Sequence, residues 1–271
     1  GPAMMWNTRY GMMGAGAMGG GGMMGGAAGY GAMMPGGTLS PARNNDRDLS
    51  SSAAREIAGR WLRANASRYN LDPDTIAIMG SSSGAWTATM AAVTGNRPEL
   101  EGSVGTPGVS SSVQAAVAFY PPTDFLAMGG RHDDPMSPES RLIGCAIKTC
   151  PEKAEAANPV RYVDGNEPPI MLLHGERDEK VPYSQSALLY DTLSKACDEA
   201  MFISLPNGGH GQQIEFLTDA AVRAGATLRS NSAGDCKATE ATAVTPSWKT
   251  VIEFLDRTLK GRSGGDSRAA R

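Results

Sequence analysis

The sequence is short of several features that mark particular classes of protein. Its 271 residues include 25 Lys and Arg against 28 Asp and Glu, so a net charge of −3 provides no basic surface for nucleic acid. No apolar run approaches about 18 residues, so no membrane span is expected. Three His and four Cys, without a C-x2-C pair, predict no metal site. We therefore expect no nucleic-acid partner, no metal and no other cofactor.

Glycine and methionine are abundant, and they are concentrated at one end of the chain. The first 37 residues contain 14 of the 34 Gly and 9 of the 15 Met, with neither helical nor strand periodicity. Because glycine loses the most entropy on ordering, we interpret residues 1–45 as an arm that is flexible or docked in an apolar groove. Gly1-Pro2 resembles a protease-cleavage scar, and no signal peptide is visible. We place a folded domain at 46–260 and a disordered tail at 261–271.

Apolar runs alternate with helical patterns from residue 46 onward. Four runs have the composition of buried strands, and they cover residues 75–80, 113–120, 168–175 and 200–206. One helical pattern ends at Asn70, and three more cover residues 83–94, 184–196 and 247–260. This alternation predicts an α/β fold with a mostly parallel sheet and flanking helices. Residues 121–165 contain no clear strand and are predicted to form a loop-rich insertion at the carboxyl edge of the sheet.

The residues Gly80-Ser81-Ser82-Ser83-Gly84 match the pattern G-x-S-x-G. The pattern follows a predicted strand and opens a predicted helix, which is the context of a nucleophile elbow. Small residues on both sides let the backbone turn sharply and expose the Ser82 hydroxyl. A phosphate-binding loop is the alternative, but no Lys follows the pattern as it does in a P-loop. We therefore predict that Ser82 is a nucleophile.

A serine nucleophile requires a base and an acid that orients it, and the sequence offers few candidates. His210 lies in a Gly-rich loop after the fourth strand, and Asp178 follows the third strand. The order Ser82, Asp178, His210 is the order of the α/β-hydrolase triad. The remaining candidates are interpreted as follows: His174 as a structural residue, His132 as an exposed loop residue that could line the pocket, and Glu176 and Glu179 as substitutes for the acid.

Four segments together resemble the α/β-hydrolase esterases, and most of all the secreted group that includes feruloyl and acetyl-xylan esterases. The segments are GSSSGAW, VAFYPPTDF, NPVRYVDGNEPPIMLLHGERDEKVPYSQS and FISLPNGGHG. The resemblance covers about residues 50–260. It implies an α/β-hydrolase fold and a carboxylic ester hydrolase that forms an acyl-enzyme. It also implies Ser82 as nucleophile, Asp178 as acid, His210 as base and the Ser83 N–H as one oxyanion donor.

The N-terminal part departs from this family and is predicted to be truncated or atypical. The family has well over a hundred residues before the nucleophile, including four strands and a His-Gly-Gly loop that gives the second oxyanion donor. Here about 75 residues precede the strand of the elbow, and no His-Gly pair occurs among them. The strand at 75–79 should therefore expose an edge, and the second donor is unassigned. The arm could supply the donor, a second chain could pair with the edge in a homodimer, or the protein could be a weak or inactive relative.

The predicted substrate is a small or polymer-linked ester. We assign six residues to the pocket: Ser81, Trp86, Tyr120, Pro121, Asp124 and Phe125. For Trp86 the alternative is core packing. The polar content of the insertion favours short-chain or aromatic esters, of the feruloyl type or in polyesters, over long-chain triglycerides. Two other functions stay open, a prolyl-peptidase-like hydrolase and a non-catalytic binding or scaffold protein.

The four cysteines are predicted to form two disulfides. The even count, in a family that is often secreted, favours an oxidising compartment, so we expect a secreted or periplasmic protein. Cys145 and Cys150 would close a small loop in the insertion. Cys197 and Cys236 would join the helix before the last strand to the segment after His210, and we expect this bond to restrain the loop of the base.

Overall fold

The computed structural model describes residues 3–7, 11–14, 59–95, 97–100, 106 and 108–260. It contains eight strands: β1 (Ala3–Asn7), β2 (Gly11–Gly14), β3 (Ile76–Ser81), β4 (Ala115–Phe119), β5 (Ile170–Gly175), β6 (Ala200–Leu205), β7 (Thr227–Asn231) and β8 (Thr242–Ala243). Its helices are α1 (Ser83–Thr94), α2 (Pro138–Ile143), α3 (Pro151–Ala156), α4 (Ser184–Lys195), α5 (Glu215–Thr218), α6 (Ala220–Arg223) and α7 (Trp248–Lys260). Residues 59–64 are also helical.

The eight strands form one sheet in the order β2-β1-β3-β4-β5-β6-β7-β8. The four central strands, β3 to β6, are parallel and correspond to the four predicted apolar runs. The predicted α/β fold with a mostly parallel sheet and flanking helices is therefore confirmed. Because the central strands share one direction, the residues that follow them meet at one edge of the sheet.

The outer strands are antiparallel, and the apolar pattern of the sequence does not predict them. β7 pairs with β6, and β8 pairs with β7. Four of the five β7 residues are only partly buried, and β8 has just two residues. Neither strand therefore contains the continuous apolar run by which the central strands were recognised.

The predicted exposed edge of β3 is occupied, which corrects the sequence-based expectation. β1 pairs antiparallel with β3, with Ala3 opposite Gly80 and Asn7 opposite Ile76. β2 in turn pairs with β1. Part of the N-terminal arm thus supplies the missing neighbour, so this edge of β3 is not free for a second chain. The rest of the arm, residues 1–2, 8–10 and 15–45, and the tail at 261–271 lie outside the described residues.

The sheet carries a separate apolar core on each face. Alternate residues of one strand belong to different cores, for example Ile78 to the first and Met79 to the second. The first core is covered by α1 and α4, and the second by α5 and α7. On α7 the buried positions follow a helical period: Val251, Phe254, Leu255, Thr258 and Leu259. Among the described residues, none of the helices combines the length and apolarity that crossing a bilayer requires.

The insertion at residues 121–165 is fully described and contains short helices but no strand. It encloses a third core, which includes Trp86, Met90, Phe125 and Ile147. The Trp86 indole N–H donates to the Ala157 carbonyl at 2.7 Å. Because Trp86 lies on α1, this contact fastens the insertion to the helix that follows the elbow.

Both predicted disulfides are present, and one has a different role from the predicted one. Cys145 pairs with Cys150, and Cys197 pairs with Cys236. The Cys197–Cys236 disulfide joins the β7–β8 loop to the end of α4. In the same place Gly234 N donates to the Cys197 carbonyl at 2.8 Å. That contact lies at the amino end of β6, whereas His210 follows its carboxyl end. The bond therefore does not clamp the His210 loop directly.

Candidate active site

Ser82 lies at a sharp turn between β3 and α1. Its backbone has φ 55° and ψ −123°, a conformation that residues with a side chain adopt rarely. The Ser82 N–H donates to the Phe119 carbonyl at 2.9 Å, and the Ser82 carbonyl accepts from Trp86 N at 3.0 Å. The strained residue is thus held by β4 on one side and by the first turn of α1 on the other.

Two glycines make this turn possible. A Cβ on Gly80 would overlap the backbone of Gly84, so the chain before and after Ser82 approaches closer than any side chain allows. The pattern G-x-S-x-G therefore reflects a steric requirement of the turn. As a consequence the Ser82 side chain stands at the carboxyl edge of the sheet, half-buried and accessible.

A second close approach of glycines positions the loop that carries His210. A Cβ on Gly175, at the end of β5, would overlap the backbone of Gly208. Arg177 N donates to the Gly208 carbonyl at 2.9 Å. The loop after β6 is thereby held against the turn that carries Asp178. No motif in the sequence marks these two glycines as a pair, although both lie close to predicted site residues.

The structure brings Ser82, His210 and Asp178 into one hydrogen-bonded chain. Ser82 Oγ and His210 Nε2 are 3.1 Å apart. His210 Nδ1 lies 2.9 Å from Asp178 Oδ2 and 3.1 Å from Asp178 Oδ1. Because a carboxylate accepts, His210 Nδ1 carries the proton, and Nε2 is left to accept a proton from Ser82. The arrangement has the geometry of a nucleophile, a base and an orienting acid.

Asp178 is an enclosed carboxylate that several donors stabilise. Its side chain is fully buried, and its Oδ1 accepts from the backbone N–H groups of Lys180 at 2.8 Å and Val181 at 2.9 Å. Burial raises the pKa of Asp178, but hydrogen bonds from His174, from His210 and from those backbone groups outweigh it. The pKa of Asp178 is held far below its usual range, so the group is ionised at neutral pH.

Tyr120 forms a wall behind His210. It follows β4 with φ 44°, and its side chain is buried. The ring centroids of Tyr120 and His210 are 4.7 Å apart, and the Tyr120 hydroxyl donates to Gln213 Oε1. Burial raises the pKa of Tyr120, although a hydrogen bond with Ser81 lowers it. Tyr120 thus contacts the imidazole as a neutral group. The contact with Gln213 was not foreseen, since nothing in the sequence marks that residue.

The predicted pocket residues divide between the site and the core. Ser81 and Pro121 are buried beside the elbow and after β4. Trp86 and Phe125 stack in the third core with ring centroids 6.2 Å apart, so the structure favours core packing for both. Asp124 accepts from Leu126 N and Ala127 N and so caps a short 3-10 helix.

The other candidate histidines and acids lie away from the nucleophile. His132 is buried, not exposed as expected, because it packs inside the insertion with Nδ1 3.2 Å from Glu139 Oε1. Glu176 and Glu179 are exposed to solvent, whereas Asp178 between them is turned inward onto His210. His174 is fully buried at the end of β5. Within the described part of the chain, no group of three or more His, Cys, Asp or Glu is arranged to hold a metal ion.

The sheet order, the elbow after β3 and the His210 loop after β6 define an α/β-hydrolase. Residues 55–193 match the BD-FAE family, and the chain belongs to that family. The matched range includes Ser82 and Asp178 and ends before His210.

Three known proteins with similar sequences are named as esterases or carboxylic ester hydrolases, and another is named as an uncharacterized peptidase. Esterase LipQ of Mycobacterium tuberculosis (strain ATCC 25618 / H37Rv) is 35% identical over 153 residues, which is 55% of this chain and 36% of LipQ. The chain thus spans about a third of the length of the curated relatives it matches.

Two solved structures have the same fold. A truncated form of a carbohydrate esterase from gut microbiota has a TM-score of 0.56 and 34% identity, and the match covers 59% of this chain and 61% of that one. Native esterase 2 of Thermogutta terrifontis has a TM-score of 0.53 at 21% identity, covering 84% of this chain and 69% of that one. The second match supports the fold alone.

Proposed function

We propose that this protein is a carboxylic ester hydrolase that uses Ser82 as nucleophile, His210 as base and Asp178 as orienting acid. The observation that carries the proposal is the hydrogen-bonded chain from Ser82 Oγ through both ring nitrogens of His210 to a buried carboxylate. The BD-FAE family match and the esterase relatives support the same class of reaction.

The reaction proceeds in two half-reactions. Ser82 Oγ bonds to the ester carbonyl carbon while its proton moves to His210 Nε2, and the imidazolium then protonates the departing alcohol. Water next attacks the acyl-enzyme, giving one proton to His210 as it does so. Release of the acid returns the proton to Ser82 Oγ. Asp178 stays ionised throughout and stabilises the imidazolium.

Negative charge on the carbonyl oxygen develops next to the amino end of α1. The Ser83 N–H, in the first turn of this helix, is the oxyanion donor that we assign. Its place directly after the nucleophile and the helix dipole both favour the developing anion. This assignment concerns the backbone only, so it predicts no role for the Ser83 hydroxyl.

We propose short-chain or aromatic esters, including feruloyl-type and polyester substrates, as the substrate class. The surface of the insertion is mostly polar, since Arg131, Asp134 and Glu152 are exposed while most of its large apolar residues pack in the third core. Leu126 and Met136 are the exposed exceptions. One matched structure is described as a carbohydrate esterase, which suits an ester carried on a polymer. The two disulfides favour the secreted or periplasmic location.

The test compares the protein with Ser82→Ala on p-nitrophenyl acetate and butyrate. We expect kcat/KM to fall by about 10⁴-fold or more in the variant, because the nucleophile is removed. Ser184→Ala is the matched control, since Ser184 is an exposed serine at the start of α4 and should leave the rate unchanged. A fluorophosphonate probe should label the protein and the control but not Ser82→Ala.

The same assay separates the rival functions. Equal rates in the protein and in Ser82→Ala, with no labelling, would refute the proposal and favour a binding or scaffold protein. Labelling of Ser82 with turnover of a p-nitroanilide amide but not of the esters would favour a prolyl-peptidase-like hydrolase.

A further inference from the structure

We propose that His174 is a positioning residue for Asp178 and that Ser186 fixes the tautomer in which His174 does so. The chain of polar contacts would then contain five side chains, with the carboxylate of Asp178 held between two imidazoles. This inference rests on the proposed function, because it concerns the group that orients His210. It goes beyond the structural role that the sequence predicts for His174.

The contacts of His174 determine where its proton is. Its Nε2 faces two acceptors, the Val181 carbonyl at 3.1 Å and Asp178 Oδ2 at 3.5 Å. A nitrogen between two acceptors must carry the hydrogen. In the neutral ring Nδ1 is then an acceptor, and Ser186 Oγ lies 2.7 Å from it. Ser186 therefore donates to His174, and His174 directs its N–H dipole at Val181 and Asp178.

The site around these groups is closed to solvent. The side chains of His174 and Asp178 have no exposed area, and Ser186 is likewise buried. Tyr120 and Tyr183 meet the His174 ring edge-on, with centroids 6.3 Å and 5.7 Å away. Water therefore does not screen the charge of the Asp178 carboxylate from His174, which strengthens the interaction between the two groups.

The titratable groups that face this pair are few among the described residues. Asp178 faces His174 and His210, and Tyr120 from β4 lies beside both rings. Burial raises the pKa of Tyr183, whose hydroxyl bonds Ser204, and burial likewise raises that of Tyr120. Both tyrosines are therefore uncharged at neutral pH. The local charge balance is set by the Asp178 carboxylate and by the proton that His210 takes up.

The two carboxylate oxygens of Asp178 are held differently. Oδ1 has the two backbone donors of Lys180 and Val181, whereas Oδ2 is nearest to His210 and then to His174. Without the N–H of His174, Oδ2 would interact with His210 alone. The carboxylate would then be a stronger partner for the imidazolium, and His210 would keep its proton to higher pH.

The test is the pH profile of kcat/KM on p-nitrophenyl acetate for three variants. His174→Leu removes the N–H, and we expect kcat to fall about 10-fold, as for loss of a hydrogen bond to a charged group, with KM little changed. The acid limb of the kcat/KM profile of His174→Leu should move to higher pH by roughly half a unit. His174→Gln offers both an amide N–H and an oxygen for Ser186, and it should restore most of kcat and the original limb. Ser186→Ala should move the limb in the same direction by a smaller amount.

A control separates this role from packing. Leu172→Val lies two residues earlier on β5 in the first core and should lower Tm without moving the acid limb. The inference is overturned when the limb of His174→Leu coincides with that of the unaltered protein, or when His174→Gln is no better than His174→Leu. Where His174→Leu does not fold, an unchanged limb in Ser186→Ala overturns it. Failure of the proposed function is separate, because it is read from Ser82→Ala.

Discussion

The turn at Ser82 depends on the absence of a side chain at Gly80. Gly80 has an ordinary backbone conformation, yet a Cβ there would overlap the Gly84 carbonyl group. Gly130, by contrast, has φ +60° and open space around its Cα. A side chain is therefore excluded at Gly80 by a steric clash and at Gly130 by backbone strain.

This contrast gives a prediction about stability. Gly80→Ala should lower the free energy of unfolding by more than about 3 kcal/mol, because backbone rather than a flexible side chain blocks the new methyl group. Gly130→Ala should cost about 1–2 kcal/mol, the strain of a left-handed conformation. Urea unfolding followed by circular dichroism measures both. Equal losses in the two variants would contradict the steric account of the elbow.

At the scale of single residues, the sequence predicted which side chains meet but not what surrounds them. Ser82, Asp178 and His210 could be chosen because a G-x-S-x-G pattern and the chain order restrict the candidates. The burial of His132 and the contact of Tyr120 with Gln213 depend on the packing of segments far apart in the chain. No local pattern carries that information.

The strands differ in how clearly their sequences predict them. The central strands β3 to β6 are buried on both faces, so each appears as an apolar run that predicts a parallel strand. β7 is held by its pairing with β6 instead, and a half-buried polar segment predicts no strand. β1 lies in a Gly- and Met-rich segment without periodicity, and its pairing with β3 is a tertiary contact.

The two disulfides lie in different elements and should have different effects. Cys197–Cys236 spans 39 positions and holds the β7–β8 loop at the amino end of β6, whereas Cys145–Cys150 spans 5 positions within the insertion. A disulfide that closes a longer loop removes more entropy from the unfolded chain. Neither bond touches the His210 loop, so stability and turnover should respond separately.

We therefore expect Cys197→Ser/Cys236→Ser to lower the free energy of unfolding by about 3–4 kcal/mol and to change kcat less than twofold. Cys145→Ser/Cys150→Ser should cost less stability. Thermal unfolding and p-nitrophenyl butyrate hydrolysis measure the two effects. A tenfold loss of kcat in the folded Cys197→Ser/Cys236→Ser variant would instead support the sequence-based prediction that this bond restrains the loop of His210.

In the molecule as a whole, the proposed catalytic residues lie at one edge of the sheet, and a polar cluster around Asp198 lies at the other. Asp198, between α4 and β6, is 4% exposed and accepts from Glu167 N at 3.2 Å, while its Oδ2 has no hydrogen-bond partner among the residues that the structure describes. A cavity of about 310 Å³ adjoins it, lined in part by Glu167, Glu199 and Arg257. Burial and the nearby Glu167 side chain raise the pKa of Asp198 to about 7, although the Glu167 backbone N–H, which donates to the carboxylate, lowers it.

This pKa predicts how the stability of the whole protein depends on pH. The unfolded chain loses the Asp198 proton near its ordinary pKa of 3.8, whereas the folded protein keeps it to about 7, so stability should fall as pH rises between these values. Asp198→Asn mimics the protonated acid, so its Tm should equal that of the unaltered protein at pH 4 and exceed it by at least about 2 °C at pH 8. Asp235→Asn, an exposed carboxylate in the β7–β8 loop, is the control and should show no such divergence. Parallel Tm curves for Asp198→Asn and the unaltered protein from pH 4 to pH 8 would mean that Asp198 is ionised in the folded state. The polar cluster opposite the proposed active site would then hold a charge rather than a proton.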